Sequence, residues 1–360
     1  MSSKCRFTRL GISILAGILM LMLCLLILPE GAVSEQITQP TELLSQLQAT
    51  NTFTAFLPIV LNPPSPPPEE WLGAMNYYRA LANLPPVTEN ATYSTGDWYH
   101  ARYMVKNDYL GHYEDSANPW YTPEGAQAAA SSNLMVSFDV NVTDLEAINT
   151  WVQAPFHGIG MIDPALHEVG FGSYRENIGW YRMGAALDVI RGLGSISPVV
   201  TFPIYFPGNG KYMPVLEHWG EYPDPLSSCP GYAAPSGSPI ILQIGSGSQT
   251  PNVTFSSLLE NGVAREHCVF DETNYTNLDS NAQSLGRSIL NSRDAIVIMP
   301  REPLVSGARY IVSITVNGSE YVWSFTALDS SEMSAKIFPL SFKIGTPARL
   351  PVPPTRSGRN

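Results

Sequence analysis

The hydrophobic period of this chain changes once, near residue 165. Before that point apolar positions recur every three or four residues, the spacing of helices with one buried face. In "PEEWLGAMNYYRALANLPPV", Trp71, Met75, Tyr78 and Leu81 or Ala82 share a face. Pro68, Glu69 and Glu70 suit the positive end of that helix, and Pro85-Pro86 must end it. "YSTGDWYHARYMVKNDYLGH" predicts a second helix, capped by Ser94 or Thr95, with Trp98, Ala101, Tyr103 or Met104 and Val105 turned inward. "TPEGAQAAASSNLMVS" holds a short helical turn. "TDLEAINTWVQAP" predicts another helix: Thr143 caps it, Glu146 takes the third helical position as in a capping box, and Leu145, Ile148 and Trp151 lie inside.

After residue 165 the period is two. "LHEVGFGSY" and "WYRMGAALDVI" alternate as strands, joined by "RENIG". Helices followed by an antiparallel pair argue for a mixed sheet covered by helices, not a parallel βαβ array. Beyond Tyr222 the helices fade. "SPIILQIG", "VTFSSLLENG", "REHCVF", "AIVIMP", "ARYIVSITV" and "EYVWSFTAL" are short strand patterns. Asn317-Gly318 between the last two is a two-residue hairpin signal. Strands at this spacing predict a small antiparallel sandwich. The fold class is α+β: a helix-covered sheet followed by a small all-β sandwich.

The two ends depart from these patterns. Lys4, Arg6 and Arg9 precede an uncharged apolar run from Gly11 to Leu28, which Pro29 and Gly31 break before the small residues Ala32-Val33-Ser34. This is the pattern of an export signal over residues 1–34, which places the mature chain outside the cell or at its surface. The apolar run, about 18 residues, also has the length of an uncleaved anchor over residues 11–28, and only then would the chain contact a membrane. Residues 35–68 end in the cluster Pro63 to Pro68, a stiff and extended linker. Residues 329–360 read as a flexible tail. Cys5 and Cys24 fall inside the signal. Two cysteines remain, Cys229 and Cys268, and in an exported chain they predict one disulfide closing a loop of about 40 residues.

Charge removes one class of function. With 31 acidic against 20 basic residues, the net charge is −11. A nucleic-acid partner needs a basic patch for its phosphates, so that class is excluded. No His-Glu-x-x-His and no Gly-x-Ser-x-Gly occurs, so the helix of a zinc protease and the elbow of an α/β-hydrolase are absent.

Two stretches carry the candidate chemistry. "DYLGHYED" holds His112 after a glycine, between carboxylates. "WVQAPFHGIGMIDPALHEVGFGSY" holds His157, opening a segment that leads into a strand. The ordered set "MNYYRA", "HARYMVKNDYLGH", "SNL", "W…PFH" and "HEVGFG" resembles the CAP superfamily (the SCP domain of cysteine-rich secretory, antigen 5 and pathogenesis-related proteins), and within it the bacterial branch. The resemblance covers about Glu70 to Val215 and sets a domain over residues 69–215. The segment over 222–328, with "PREPLVSGARYIVSITVNGSEYVWSF", resembles an immunoglobulin-like or fibronectin-like sandwich, with Tyr310 and Trp323 between its sheets.

The CAP resemblance implies an α-β-α sandwich and a cleft where two histidines and two acids meet, around zinc in some members. His112 and His157 match the family's histidines. The acids do not match: one family position falls on Ser132, followed by Asn133, and the other falls near Ala154. Glu114, Asp115 or Glu124 would have to supply oxygens if His112 and His157 were to hold zinc as a cofactor. His112 beside Gly111 also suits a bond to the last carbonyls of its own helix. A Ser132–His157 pair is the serine-type alternative. The aromatic group Trp98, Tyr99, Tyr103, Tyr109, Tyr113, Trp120 and Tyr121 either packs in a core or walls a cleft for carbohydrate or lipid.

The missing acids favour binding over turnover. The expected function is that of a secreted or cell-surface CAP-domain protein that binds a lipid, a glycan or a cell-surface ligand without catalysis. The alternatives are a metal-dependent or serine-type hydrolase using His112 and His157, and a structural or adhesive surface protein.

Overall fold

A computed structural model describes residues 68–335. The expected signal, the linker up to residue 67 and the tail beyond 335 lie outside the described residues. Helix α1 (Trp71–Leu81) follows Glu70, and its residues Ala74, Met75 and Tyr78 are fully buried. It stops short of the proline pair, where Asn83 turns into the left-handed region at φ 57°, a conformation asparagine tolerates better than most residues.

Strand β1 (Thr88–Glu89) leads into helix α2 (Ala91–Lys106). Asn90 caps α2, not Ser94 or Thr95: its side-chain oxygen accepts from the N–H groups of Thr92 and Tyr93. The hydroxyls of Ser94 and Thr95 are taken by Glu89 and by the Ala91 carbonyl. Ala101, Met104 and Val105 face inward as expected, but Trp98 is 38% exposed. Helix α3 (Pro123–Ala129), capped by Thr122, fulfils the short helical turn, and strand β2 (Ser132–Ser137) follows it. That strand escaped the sequence reading because its Ser-Ser-Asn start does not alternate. Helix α4 (Asp144–Val152) has the capping box of Thr143 and Glu146. His157 then lies on helix α5 (Pro155–Met161), not on a segment leading directly into a strand; two glycines in "PFHGIGM" hide the helical pattern.

Strands β3 (Glu168–Arg175) and β4 (Met183–Asp188) pair antiparallel, as their alternation predicts. The first sheet has the order β1-β3-β4-β2, with β1 parallel to β3, so it is mixed. Helix α2 lies against it at backbone distance. A Cβ on Gly172 of β3 would overlap the backbone of Trp98, so only glycine permits that approach.

Strands β5 (Ile204–Phe206) and β6 (Lys211–Met213) pair with strands of the C-terminal sheets. The expected division at residue 215 therefore falls after two strands that are shared with the sandwich. A short ribbon of β7 (Glu217–His218) and β8 (Ser236–Gly237) follows. Then come β9 (Ile240–Gln243), β10 (Val253–Glu260), β11 (Val263–Ala264) and β12 (His267–Phe270). Helix α6 (Ser280–Asn291) corrects the expectation that helices end near Tyr222. Its apolar positions are sparse (Ala282, Gly286 and Leu290 are buried), which makes it read as polar loop. Strands β13 (Ala295–Pro300), β14 (Arg309–Val316) and β15 (Ser319–Ala327) complete two sheets, ordered β11-β10-β14-β15-β6 and β12-β13-β9-β5.

The hairpin between β14 and β15 turns at Asn317 and Gly318, both with positive φ, as a type I′ turn requires. Trp323 is buried against Tyr205, at 4.7 Å between ring centroids. Helix α7 (Ser330–Ala335) buries Met333, so the expected flexible tail does not begin at residue 329. Cys229 and Cys268 are joined, with Cα atoms 5.6 Å apart. One apolar cluster runs from Ala74 on α1 to Ala327 on β15, so the helix-covered sheet and the sandwich share a continuous core.

Candidate functional site

His112 sits in the loop between α2 and α3. Its Nδ1 lies 2.8 Å from the carbonyl oxygen of Ala129, the last residue of α3. The imidazole therefore closes the end of the following helix, not of its own. Because a carbonyl can only accept, Nδ1 carries the hydrogen and the neutral ring keeps its lone pair on Nε2. Burial pushes the His112 pKa below the ordinary histidine value. The bond to Ala129 opposes that shift, and the imidazoles of His157 and His100 add to it. His157 is thus close enough to act on the charge of His112.

His157 stands in the first turn of α5. Its Nδ1 lies 2.7 Å from Oε2 of Glu221. The same carboxylate accepts from the backbone N–H of Phe156 at 3.0 Å and of His157 at 3.1 Å. The Glu221 side chain is only 1% exposed. Ala154, at the N-cap position, makes no side-chain cap, and Glu221 fills that role while also orienting the imidazole. An acid therefore does meet His157, although the family position near Ala154 lacks one. Nothing local in the sequence signals this, since Glu221 is 64 residues away. Asn133 on β2 completes the arrangement by donating to the His157 carbonyl at 3.2 Å.

Glu114 is not available to His112. It lies 2.9 Å from Nδ1 of His100, and both side chains are fully buried. It also accepts from the Thr122 N–H at 3.2 Å. The other ring nitrogen of His100 donates to the Gly111 carbonyl at 3.0 Å. That leaves a single proton between Nδ1 and the carboxylate, a closed pair that ties α2 to the loop carrying His112. His100 is therefore a buried helix side chain with both ring nitrogens engaged. Glu124 is exposed in the first turn of α3, and its carboxylate bonds neither imidazole. Asp115 caps the turn after Tyr113 by accepting from Ala117.

Ser132 serves a different acid. Its hydroxyl donates to Oδ1 of Asp97 at 2.7 Å, and both residues are buried. The serine-type pairing with His157 therefore lacks its hydroxyl. Asp97 is fully buried on α2, and its Oδ2 has no partner among the described residues. Burial raises its pKa to about 7; the Asp188 charge on β4 adds to the rise, while the Ser132 bond, Arg191 and the Asp188 backbone N–H oppose it. No local pattern marks this acid, which sits in a polar stretch of helix.

A zinc ion takes three or four protein ligands. Among the described residues, no group of three or more histidines, cysteines or acids could hold a metal. Glu221 is spent on His157 and on the start of α5, and Glu114 on His100. Two imidazole edges do not make up the set, so the residues do not fit a zinc ion and no step is derived through one. The aromatic group divides. Tyr103 is buried and its hydroxyl accepts from the Asp115 N–H at 3.0 Å, whereas Tyr113 is 66% exposed.

Residues 72–187 match the family model described as the cysteine-rich secretory protein family, CAP. Among solved structures the chain is similar to an extracellular protein containing an SCP domain from Bacillus anthracis, at 15% identity and a TM-score of 0.27. That likeness covers 34% of this chain and 39% of the other, so this chain spans well under half of that protein. A comparison with curated proteins matches none. The family match takes in α1 to β4, with the mixed sheet and both His112 and His157. Residues 72–187 of this chain are a CAP domain.

Proposed function

We propose that this chain is an extracellular CAP-domain protein that binds a ligand at its histidine cleft and does not turn it over. One observation carries this reading. Ala129 and Glu221 hold the two Nδ1 atoms, which fixes both rings, while the one hydroxyl expected beside His157, that of Ser132, is bonded to Asp97. Two oriented Nε2 edges remain. The His112 edge is an acceptor at neutral pH, because its pKa is lowered. Such an edge suits a hydroxyl or amide donor on a lipid or a glycan better than it suits a substrate that must be attacked. Location outside the cell is supported by the signal pattern over residues 1–34. Among the described residues no helix is long and apolar enough to cross a membrane. The C-terminal sandwich, in this reading an immunoglobulin-like spacer, presents the CAP domain and does no chemistry.

The test pairs turnover with binding. Wild type and His157→Ala are assayed against activated esters and peptides, and wild type is titrated with monoacylglycerols, sterols and neutral oligosaccharides. The imidazole nitrogens are followed by NMR. The expected result is hydrolysis no faster than in buffer, with shifts at the Nε2 atoms of His112 and His157 on binding. Hydrolysis that disappears in His157→Ala would replace this reading with the hydrolase one.

A further inference from the structure

The outer side of α2 carries a cluster that the histidine cleft does not use. Arg102 follows His100 by two residues, which places it about 200° round the helix, on the opposite side. Its guanidinium carbon lies 5.0 Å from the Trp98 ring, 5.0 Å from the Tyr99 ring and 5.3 Å from the Trp120 ring. One turn on, the Lys106 ammonium stands 4.7 Å over the other side of the cluster, at Trp120, and pairs with Glu176. Aromatic faces attract a cation but offer its N–H groups no strong acceptor.

Other arginines along the chain are held by acceptors, Arg287 by the Tyr275 carbonyl and Arg309 by the Ser324 hydroxyl. Arg175, Arg191, Arg265, Arg293 and Arg301 each pair with a carboxylate. Buried Arg79 gives its N–H groups to four main-chain carbonyls. Arg102 has no carboxylate partner among the described residues, in a chain with 31 acids against 20 basic residues. Its Nε is buried with no hydrogen-bond partner. A caged guanidinium held open in an acidic protein is complementary to an anion that comes from outside.

We propose that Arg102, within its cage of Trp98, Tyr99 and Trp120, is a binding site for an acidic saccharide, a sugar ring bearing a carboxylate or sulfate. The planar fork of a guanidinium matches either group with two parallel hydrogen bonds. Trp98, 38% exposed, offers the apolar surface on which the C–H face of a pyranose lies. At the end of the same helix Asn118 donates to Asn107 at 2.7 Å, Asn107 donates to the Tyr103 carbonyl and Asn118 accepts from the Trp120 N–H, which ties Trp120 to the helix. Beyond them Phe138 and Trp180 extend the aromatic surface, 6.5 Å apart and with Trp180 68% exposed. Asp108 and Asp115 are exposed at the same end. Their charge repels an extended anionic membrane surface and would repel a saccharide's acidic group as well, so that group is assigned to Arg102 and neutral ring hydroxyls to this end.

The experiment is calorimetric titration of the full-length chain with tetragalacturonate, a heparin tetrasaccharide and neutral cellotetraose. Wild type is compared with Arg102→Gln and Arg102→Lys, each checked for an unchanged thermal transition. The expected result is binding of one or both acidic oligosaccharides and none of cellotetraose. That binding should fall by about tenfold or more in Arg102→Gln and weaken at about 0.5 M salt. Binding of tetragalacturonate shows that a carboxylate suffices, and binding of the heparin tetrasaccharide without tetragalacturonate assigns the sulfate. If Arg102→Gln does not fold, a loss in folded Arg102→Lys, which keeps the charge but not the fork, carries the test. Equal binding of cellotetraose, wild-type affinity in the variants, or no heat from any oligosaccharide at millimolar concentration overturns the proposal. So does binding to phosphatidylserine vesicles in the absence of saccharide binding, which would assign the cluster to a membrane.

Discussion

Glu221 lies 2.7 Å from His157 across 64 residues of chain, with Oε2 facing Nδ1. The carboxylate also takes the first free N–H groups of α5, at Phe156 and His157. One side chain from outside the matched CAP span therefore starts the helix and sets the ring on it.

Replacing Glu221 with Ala leaves two buried N–H donors without acceptors and frees the ring. An orphaned buried donor costs about 1–3 kcal/mol, and a lost cap about 1. Urea unfolding should show Glu221→Ala less stable by about 2–4 kcal/mol, and Glu221→Gln, which keeps one acceptor oxygen, by less. Wild-type stability in Glu221→Ala would mean that solvent reaches these groups and that the pair does not hold the start of α5.

His112 should titrate below the ordinary histidine value, and the sign follows from its surroundings. Burial disfavours the imidazolium, and the rings of His157 and His100 disfavour it further, against the bond to Ala129. The folded state then binds fewer protons than the unfolded state below pH 6.5, so stability falls as pH drops through that window. Removing His157 takes away one of the opposing charges. NMR titration of His157→Ala should therefore show the His112 pKa moved up toward the ordinary value. A His112 pKa unchanged in that variant would separate the two rings.

Much of this fold was legible because buried faces leave a period. The helices around Met75 and Ile148 bury the face their 3.6 period marks, and the strands around Phe171 and Ala185 form where their pattern says, although β4 is buried at every position and β3 at four consecutive ones. Helices α5 and α6 were hidden because glycines and polar residues interrupt the stripe: "PFHGIGM" has two glycines, and α6 buries only Ala282, Gly286 and Leu290. In the site, His112 and His157 could be found because the family places them. Their partners could not. Glu221 comes from 64 residues downstream, and Glu114, close to His112 in sequence, turns inward to His100. Distance in sequence carries no information about which way a loop carboxylate turns.

Gly172 is the tightest point between α2 and the sheet. A Cβ there would overlap the backbone of Asp97 and Trp98, and a helix backbone cannot swing aside as a side chain can. Gly172→Ala should destabilise the chain by about 1–3 kcal/mol or more and disturb Asp97, which lies on the contacting turn. The control is Gly262→Ala, in a turn with open space but a φ of 85°, where the loss should reflect backbone strain of about 1 kcal/mol. Equal losses at the two positions in urea unfolding would show that α2 does not need the glycine.

Asp97 gives the clearest pH prediction. Its carboxyl is held at about 7 by burial against an ordinary value of 3.8, with Asp188 adding to the rise. Between those two values the folded state keeps the proton that the unfolded state has lost. Stability from this residue is therefore fully present below about pH 4 and is lost as pH rises toward 7. At about 1.4 kcal/mol per pKa unit, the loss above pH 7 is on the order of 4 kcal/mol. Asp97→Asn keeps an acceptor for the Ser132 hydroxyl and removes the charge. It should be more stable than wild type at pH 8 by up to that amount, and the advantage should shrink to nothing by pH 4. Paired urea melts at pH 4, 6 and 8 measure the difference directly, and because both proteins share every other titrating group, only Asp97 sets the trend. A constant difference across the three values would mean that Asp97 is already ionised in the fold, with its free oxygen hydrated.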